Sequence, residues 1–396
     1  MSEILTSLEN FLRETGVYLL FAENPDWWKT ALMFVIAGVL VYLAIAKGFE
    51  PLLLLPIAIG MLLTNLPGAE IFHADWFVQT EINYGQVLHD GGFLDLLYLG
   101  VKLGIYPCLI FIGIGAMTDF TPLIANPKSL LIGAGAQMGV FVAFAIALIS
   151  GQFTPQEAAA IGIIGGADGP TAILVTKILA SGLLPAIAIA AYSYMALIPM
   201  IQPPFMKLLT TKKERAIKMG NLREVSKVEK IIFPVLVTAV VGLIVPSALT
   251  LIGCLMFGNL LNVCGVTERL SKTAQNELIN IVTIFLGISV GATATAENFL
   301  KGETVLIIIC GLAAFCISTC GGLITAKIMN VLSGGKINPL IGSAGVSAVP
   351  MAARVAQKVG QKEDPSNFLL MHAMGPNVAG VIGSAVAAGV FLSWAF

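Results

Sequence analysis

Ten stretches of this chain are apolar enough to cross a bilayer, and that settles its solvent before any motif is read. A membrane-crossing helix needs about 20 mainly apolar residues. Runs near 28–47, 49–66, 93–117, 128–150 and 185–207 answer to that description. After a polar interval so do runs near 231–245, 246–262, 277–293, 303–328 and 366–394. The chain is 57% hydrophobic and 11% charged, against about 45–50% and about 25% in soluble domains. That excess is too large for a bigger soluble core, so the expected fold is an all-α polytopic membrane protein. A net charge of −1 excludes a nucleic-acid binder. The six cysteines lie in or beside apolar runs without a CxxC pair, and the three histidines lack metal-ligand spacing. Residues 1–27 begin MSEILTSLENFLRETG, too polar and acidic for a signal peptide, and read as an amphipathic segment on the membrane surface.

Two further apolar stretches, 158–181 and 338–359, are interrupted by Gly and Pro and read as re-entrant or discontinuous helices. They also resemble each other. Residues 161–179 (IGIIGGADGPTAILVTKIL) and 341–359 (IGSAGVSAVPMAARVAQKV) share six of 19 positions at a constant offset, including Gly165/Gly345 and Pro170/Pro350. FIGIGAMTDFTPLI (111–124) is echoed by FLGISVGATATAENFL (285–300), and residues 51–68 more weakly by 246–265. Three echoes in one order indicate an internal duplication. Paired interrupted segments in two halves are the best sequence pointer to a transporter's binding site. The 207–230 interval carries eight Lys/Arg, which makes it cytoplasmic. The expected organisation is a first membrane repeat (28–209), a cytoplasmic basic loop (210–230) and a second repeat (231–396). Five full spans plus one hairpin per half would invert the second repeat relative to the first. The two broken hairpins would then meet at the midplane.

The sharpest motif is Gly165-Gly166-Ala167-Asp168-Gly169-Pro170-Thr171. An acidic residue inside a membrane segment costs about 2.5–3.5 kcal/mol on insertion scales, so it calls for a partner, a cation or a proton. Glycines let the backbone turn, and Pro170 suits the first turn of a new helix. The unpaired carbonyls of a break suit hard cations such as Na⁺. At the matching break, Asn338 and Ser347 supply oxygens, Gly342 allows close helix approach, and Arg354 follows one turn past Pro350. Arg354 could pair with Asp168 or receive an anionic ligand. Tyr194 could hydrogen-bond Asp168 or move its proton. Asn377, in a Gly-Pro break, offers a side-chain oxygen to a cation. Asp95, Lys102, Asp119 and Lys177 read as structural.

Together GGADGPTAI, INPLIGSAGVSAVPMAAR, GATATAENFL and MGPNVAGVIGSA resemble the beta subunit of the sodium-pumping biotin-dependent decarboxylases, over about residues 28–394. The resemblance implies that Asp168 is the sodium- and proton-binding carboxylate and that Asn377 is a sodium-site asparagine. It implies functional roles for Tyr194, Asn338, Gly342, Ser347 and Arg354, the last facing carboxybiotin. It also implies a translocase that decarboxylates carboxybiotin, consumes a proton and exports Na⁺. The biotin would be carried on a partner subunit. The implied partners are a carboxyltransferase alpha subunit, a biotin carrier domain and a small gamma subunit, around a homotrimer in the bacterial inner membrane. The alternative on the same broken repeats is a secondary sodium/proton or sodium-coupled carboxylate transporter.

Overall fold

The computed structural model describes residues 2–23, 25–48, 50–78 and 82–394, and every element among them is helical. Helix α1 (Ser2–Glu14) carries an exposed Arg13–Glu9 pair at 2.7 Å. The first half continues with α2 (Trp27–Lys47), α3 (Pro51–Thr64), α4 (Phe93–Lys102), α5 (Ile105–Met117) and α6 (Ser129–Ile149). Then come α7 (Pro155–Gly162), α8 (Gly169–Leu179) and α9 (Leu184–Leu209). The second half holds α10 (Lys227–Ile244), α11 (Leu249–Val263), α12 (Ile279–Ala292), α13 (Gly302–Leu332), α14 (Met351–Glu363) and α15 (Leu370–Ser393).

Each expected apolar run is thus helical, though 93–117 is broken into α4 and α5, and not every helix is long enough to span by itself. Among the described residues, six helices qualify by length and composition, or up to eight if each bent pair is one span. Helix α3 has only 14 residues, and α10 opens on Lys227, Glu229 and Lys230. The α4–α5 pair bends by 65°. Its break falls at Gly104, whose φ of 78° is left-handed and whose missing Cβ leaves room for the Lys177 ammonium. Local signals set the ends of other helices. Thr154 and Glu157 form a capping box ahead of α7, and Ser226 and Glu229 form one ahead of α10.

Packing partners exchange between the halves. Helix α2 packs on α3, and α10 packs on α11; α3 packs on α12, and α5 packs on α11. Helix α9 packs on α13, and α15 packs on α6, while α6 and α13 pack against each other. The crossings depend on glycine in matching ways. A Cβ on Gly115 would strike the Leu255 carbonyl, and one on Gly258 would strike the Ile112 carbonyl; Gly60 and Gly291 stand likewise against Ile288 and Ile57. Small residues let backbones approach where lipid offers no hydrophobic drive between helices. Asn65 donates to the Ala294 carbonyl at 2.8 Å, and Asn259 donates to the Thr118 carbonyl at 3.0 Å.

The basic interval is docked rather than free. Arg215 is buried and pairs with Glu363 at 2.9 Å, and Lys218 pairs with Asp364 at 3.0 Å. The Ser366 hydroxyl and amide, with Lys218, hold the Asp364 carboxyl down to about 2. Asp95 is structural as expected: its carboxylate accepts from the His73 and Gly92 amides and meets His73 Nδ1 at 2.7 Å.

A candidate ion site at the first helix break

Between α7 and α8 the chain tightens into a 3-10 turn (Ile163–Gly166) and then reverses through Ala167. Ala167 has φ 54°, in the left-handed region that costs a residue with a Cβ about 1–3 kcal/mol. That reversal makes Asp168 the N-cap of α8. Its Oδ1 accepts from the Thr171 amide at 3.3 Å, as N-cap carboxylates do. Its Oδ2 accepts from Ser384 Oγ of α15 at 2.7 Å. Asp168 is buried, and no cationic side chain contacts it among the described residues.

The second break begins with a 3-10 turn (Pro339–Gly345) and meets the first directly. The Ser347 amide and hydroxyl both donate to the Gly166 carbonyl, at 3.0 and 2.9 Å. Asn377 of α15 holds the second break from the other side. Its Nδ2 donates to the carbonyls of Ala344 (2.9 Å), Val346 (2.7 Å) and Ala348 (3.4 Å). Those bonds fix the amide's orientation, and its Oδ1 is left buried with no partner. An unpaired buried acceptor costs about 1–3 kcal/mol, so this oxygen calls for a cation or a water. A carboxylate and an amide oxygen at a helix break suit a hard monovalent cation.

The other expected residues sit elsewhere. Asn338 caps the second break by accepting from Leu340 at 3.0 Å. It also donates to the Arg215 and Ile217 carbonyls at 2.8 and 2.9 Å, so its side chain is fully engaged with the basic interval. Gly342 lies back to back with Gly322 of α13, where a Cβ would strike the facing carbonyl. Tyr194 is not brought to Asp168: its hydroxyl donates to the Ile308 carbonyl. The tyrosine beside the motif is Tyr192, whose ring fills the space over Gly169. Arg354 is exposed in the first turn of α14 and forms no ion pair with Asp168. Of its two expected roles, the balancing of Asp168 is not formed here. The sequence reading missed Ser384, hidden in a run of small residues, and Gln137, a lone amide in the apolar α6. Gln137 is buried, donates from Nε2 to the Gly380 carbonyl at 3.2 Å, and leaves its Oε1 without a partner.

The family model for the Na⁺-transporting oxaloacetate decarboxylase beta subunit matches residues 29–395. The chain belongs to this family. It is 59% identical to the methylmalonyl-CoA decarboxylase subunit beta of Propionigenium modestum, covering 98% of this chain and 99% of that protein. It is 54% identical to the glutaconyl-CoA decarboxylase subunit beta of Acidaminococcus fermentans, covering 99% of each. It is 52% identical to the oxaloacetate decarboxylase beta chain of Klebsiella pneumoniae, covering 92% of this chain and 94% of that one. Beta subunits of this family are parts of multi-subunit, Na⁺-transporting decarboxylases, and the apolar helices make this one a multi-pass membrane protein.

Proposed function

We propose that this chain decarboxylates carboxybiotin presented by a partner carrier domain and couples that step to Na⁺ export across the bacterial inner membrane. Carboxybiotin plus a proton gives biotin and CO₂: the N–C bond breaks, and its electron pair takes up the proton at the ring nitrogen. The observation that carries the reading is the buried Asp168 carboxylate at a helix break, with no cationic partner and with the Asn377 amide oxygen unpaired at the adjoining break. A carboxylate there can hold Na⁺ or H⁺, but not both. Loaded with Na⁺ it stays ionised. A proton arriving from outside displaces the ion and is then available for the decarboxylation. Exporting one charge against 100 mV costs about 2.3 kcal/mol, which the loss of CO₂ supplies.

Arg354, exposed and free of Asp168, is the residue we assign to the carboxybiotin anion. Tyr194 and the second break, with Asn338, Gly342 and Ser347, shape the backbone around the site. The exchanged packing partners support two repeats, 28–209 and 231–396; on this reading they are inverted about a midplane site, the shorter and bent helices complete ten crossings, and the basic 210–230 loop is cytoplasmic. The partners on this reading are a carboxyltransferase alpha subunit, the biotin carrier and a small gamma subunit, around a homotrimer. That the three relatives above are named for three different acids supports placing the choice of acid on another chain.

The test is Asp168→Asn in the complete complex reconstituted into proteoliposomes. The expected result is normal insertion with Na⁺ uptake and Na⁺-stimulated decarboxylation both reduced below a tenth of wild type. Turnover above that level, still stimulated by Na⁺, would sink the reading.

A further inference from the structure

Resting on the reading of Asp168 as the transported ion's carboxylate, we infer that Gln137 supplies a further oxygen ligand to the same cation. Its Nε2 is held by the Gly380 carbonyl, so the amide cannot turn over without setting one carbonyl against another. The free face is therefore Oε1, which is buried and unpartnered. That oxygen lies over Gly166, 3.3 Å from where a Cβ would stand, and the Ser384 side chain reaches the same point at 3.1 Å. Ser384 in turn bonds Asp168. Gln137, Ser384 and Asp168 thus converge around one glycine at the meeting of the two breaks.

Nearby oxygens are mostly engaged. The Gly166 carbonyl takes two donors from Ser347, and those of Ala344, Val346 and Ala348 take Asn377. Thr171 and Ser318 also carry unpartnered hydroxyls, but a hydroxyl rotates to a new partner and an amide tethered at its nitrogen does not. Gln202 is a similar tethered amide, donating to the Ser343 carbonyl at 2.8 Å, but no contact joins it to Asp168. A neutral amide oxygen is a good ligand for Na⁺ and a poor base for a proton. Gln137 therefore favours Na⁺ over H⁺ at Asp168 without adding a second negative charge.

The experiment compares Gln137→Leu, Gln137→Glu and Asp168→Asn in the purified complex, reading the rise in Tm with added Na⁺ and the Na⁺ concentration for half-maximal turnover. Gln137→Leu is expected to raise that concentration about tenfold and to suppress most of the Na⁺-dependent rise in Tm. Gln137→Glu keeps an oxygen while losing the amide donor, and is expected to stay within about threefold of wild type. A trapped water would satisfy the same oxygen, and then Gln137→Leu would leave the Na⁺ midpoint unmoved, which overturns the inference. It is equally overturned if Gln137→Glu behaves as Gln137→Leu, because the Gly380 tether would then be what matters. If Gln137→Leu does not assemble, Gln137→Glu alone decides: Na⁺ response retained supports the ligand role, and response lost rejects it. If Asp168→Asn keeps the full Na⁺-dependent rise in Tm, the underlying site reading fails as well. If only Gln137→Leu is silent, the inference alone fails.

Discussion

The two helix breaks share a sequence pattern and differ in what they do with polarity. Both run apolar helix or turn, glycine, reversal, proline, helix. The first leaves a carboxylate buried with only two donors, from Thr171 and Ser384. The second has no charged residue at its turn, and its backbone is gathered by amides: Asn338 is engaged on both sides of its amide, and three carbonyls accept from Asn377, whose Oδ1 stays unpaired. A duplicated backbone can therefore give one half the ion chemistry and the other the scaffold that holds it. The bond from Ser347 to Gly166 is where the scaffold meets the site.

The largest effect expected from testing that division is at Asn377, which holds the second break through its nitrogen and, on the proposed reading, offers its oxygen to the ion. Asn377→Ala removes the free oxygen and leaves three carbonyls of the second break without their donor. The Na⁺ concentration for half-maximal turnover should rise at least tenfold, about 1.4 kcal/mol, and Tm should fall. A lowered Tm with an unmoved Na⁺ midpoint would make Asn377 scaffold only.

Arg354→Lys comes next and acts outside the ion site. A guanidinium holds a carboxylate through two parallel hydrogen bonds, and an ammonium cannot. The apparent affinity for carboxybiotin should fall about tenfold while the Na⁺ midpoint stays within twofold. The measurement is decarboxylation of carrier-bound carboxybiotin across a Na⁺ titration. Normal carboxybiotin affinity with a displaced Na⁺ midpoint would reassign Arg354 to balancing Asp168 in another conformation.

Much of the fold was legible because membrane helices announce themselves locally. Apolar run length placed the long helices of the two halves, though it did not show the 93–117 run broken at Gly104, and Gly-Pro punctuation located both helix breaks. Asp168 stood out because a carboxylate in an apolar run has few uses. What was not legible depends on contacts between distant residues. Asn338 beside Pro339 reads as an oxygen donor at a break, yet its amide reaches residues 215 and 217, more than 120 positions away. Tyr192 and Tyr194 lie about 200° apart around a helix, so only one can face the motif, and nothing local says which. Gln137 had a signal, a lone amide in a 21-residue helix otherwise apolar or small, but its orphaned oxygen appears only once Gly380 is seen to hold its nitrogen.

The smallest effect on ion handling is expected at Asn338, and it separates the two breaks most cleanly. Asn338→Ala deletes two bonds to the basic interval and the acceptor for the Leu340 amide. The Arg215 and Ile217 carbonyls are not orphaned, because Asn367 also donates to both, at 3.2 and 3.1 Å. The cost should therefore stay near the lower end for a lost buried hydrogen-bonding group, about 1–2 kcal/mol. Removing both amides strands the two carbonyls, so Asn338→Ala with Asn367→Ala should cost more than the sum of the single changes. Through all three variants the Na⁺ midpoint should stay within twofold of wild type, since none of these groups touches Asp168. Unfolding of the purified complex, read beside a Na⁺ titration of turnover, checks both parts. A tenfold change in the Na⁺ midpoint at unchanged Tm would put Asn338 on the ion's path, and the second break could no longer be described as scaffold.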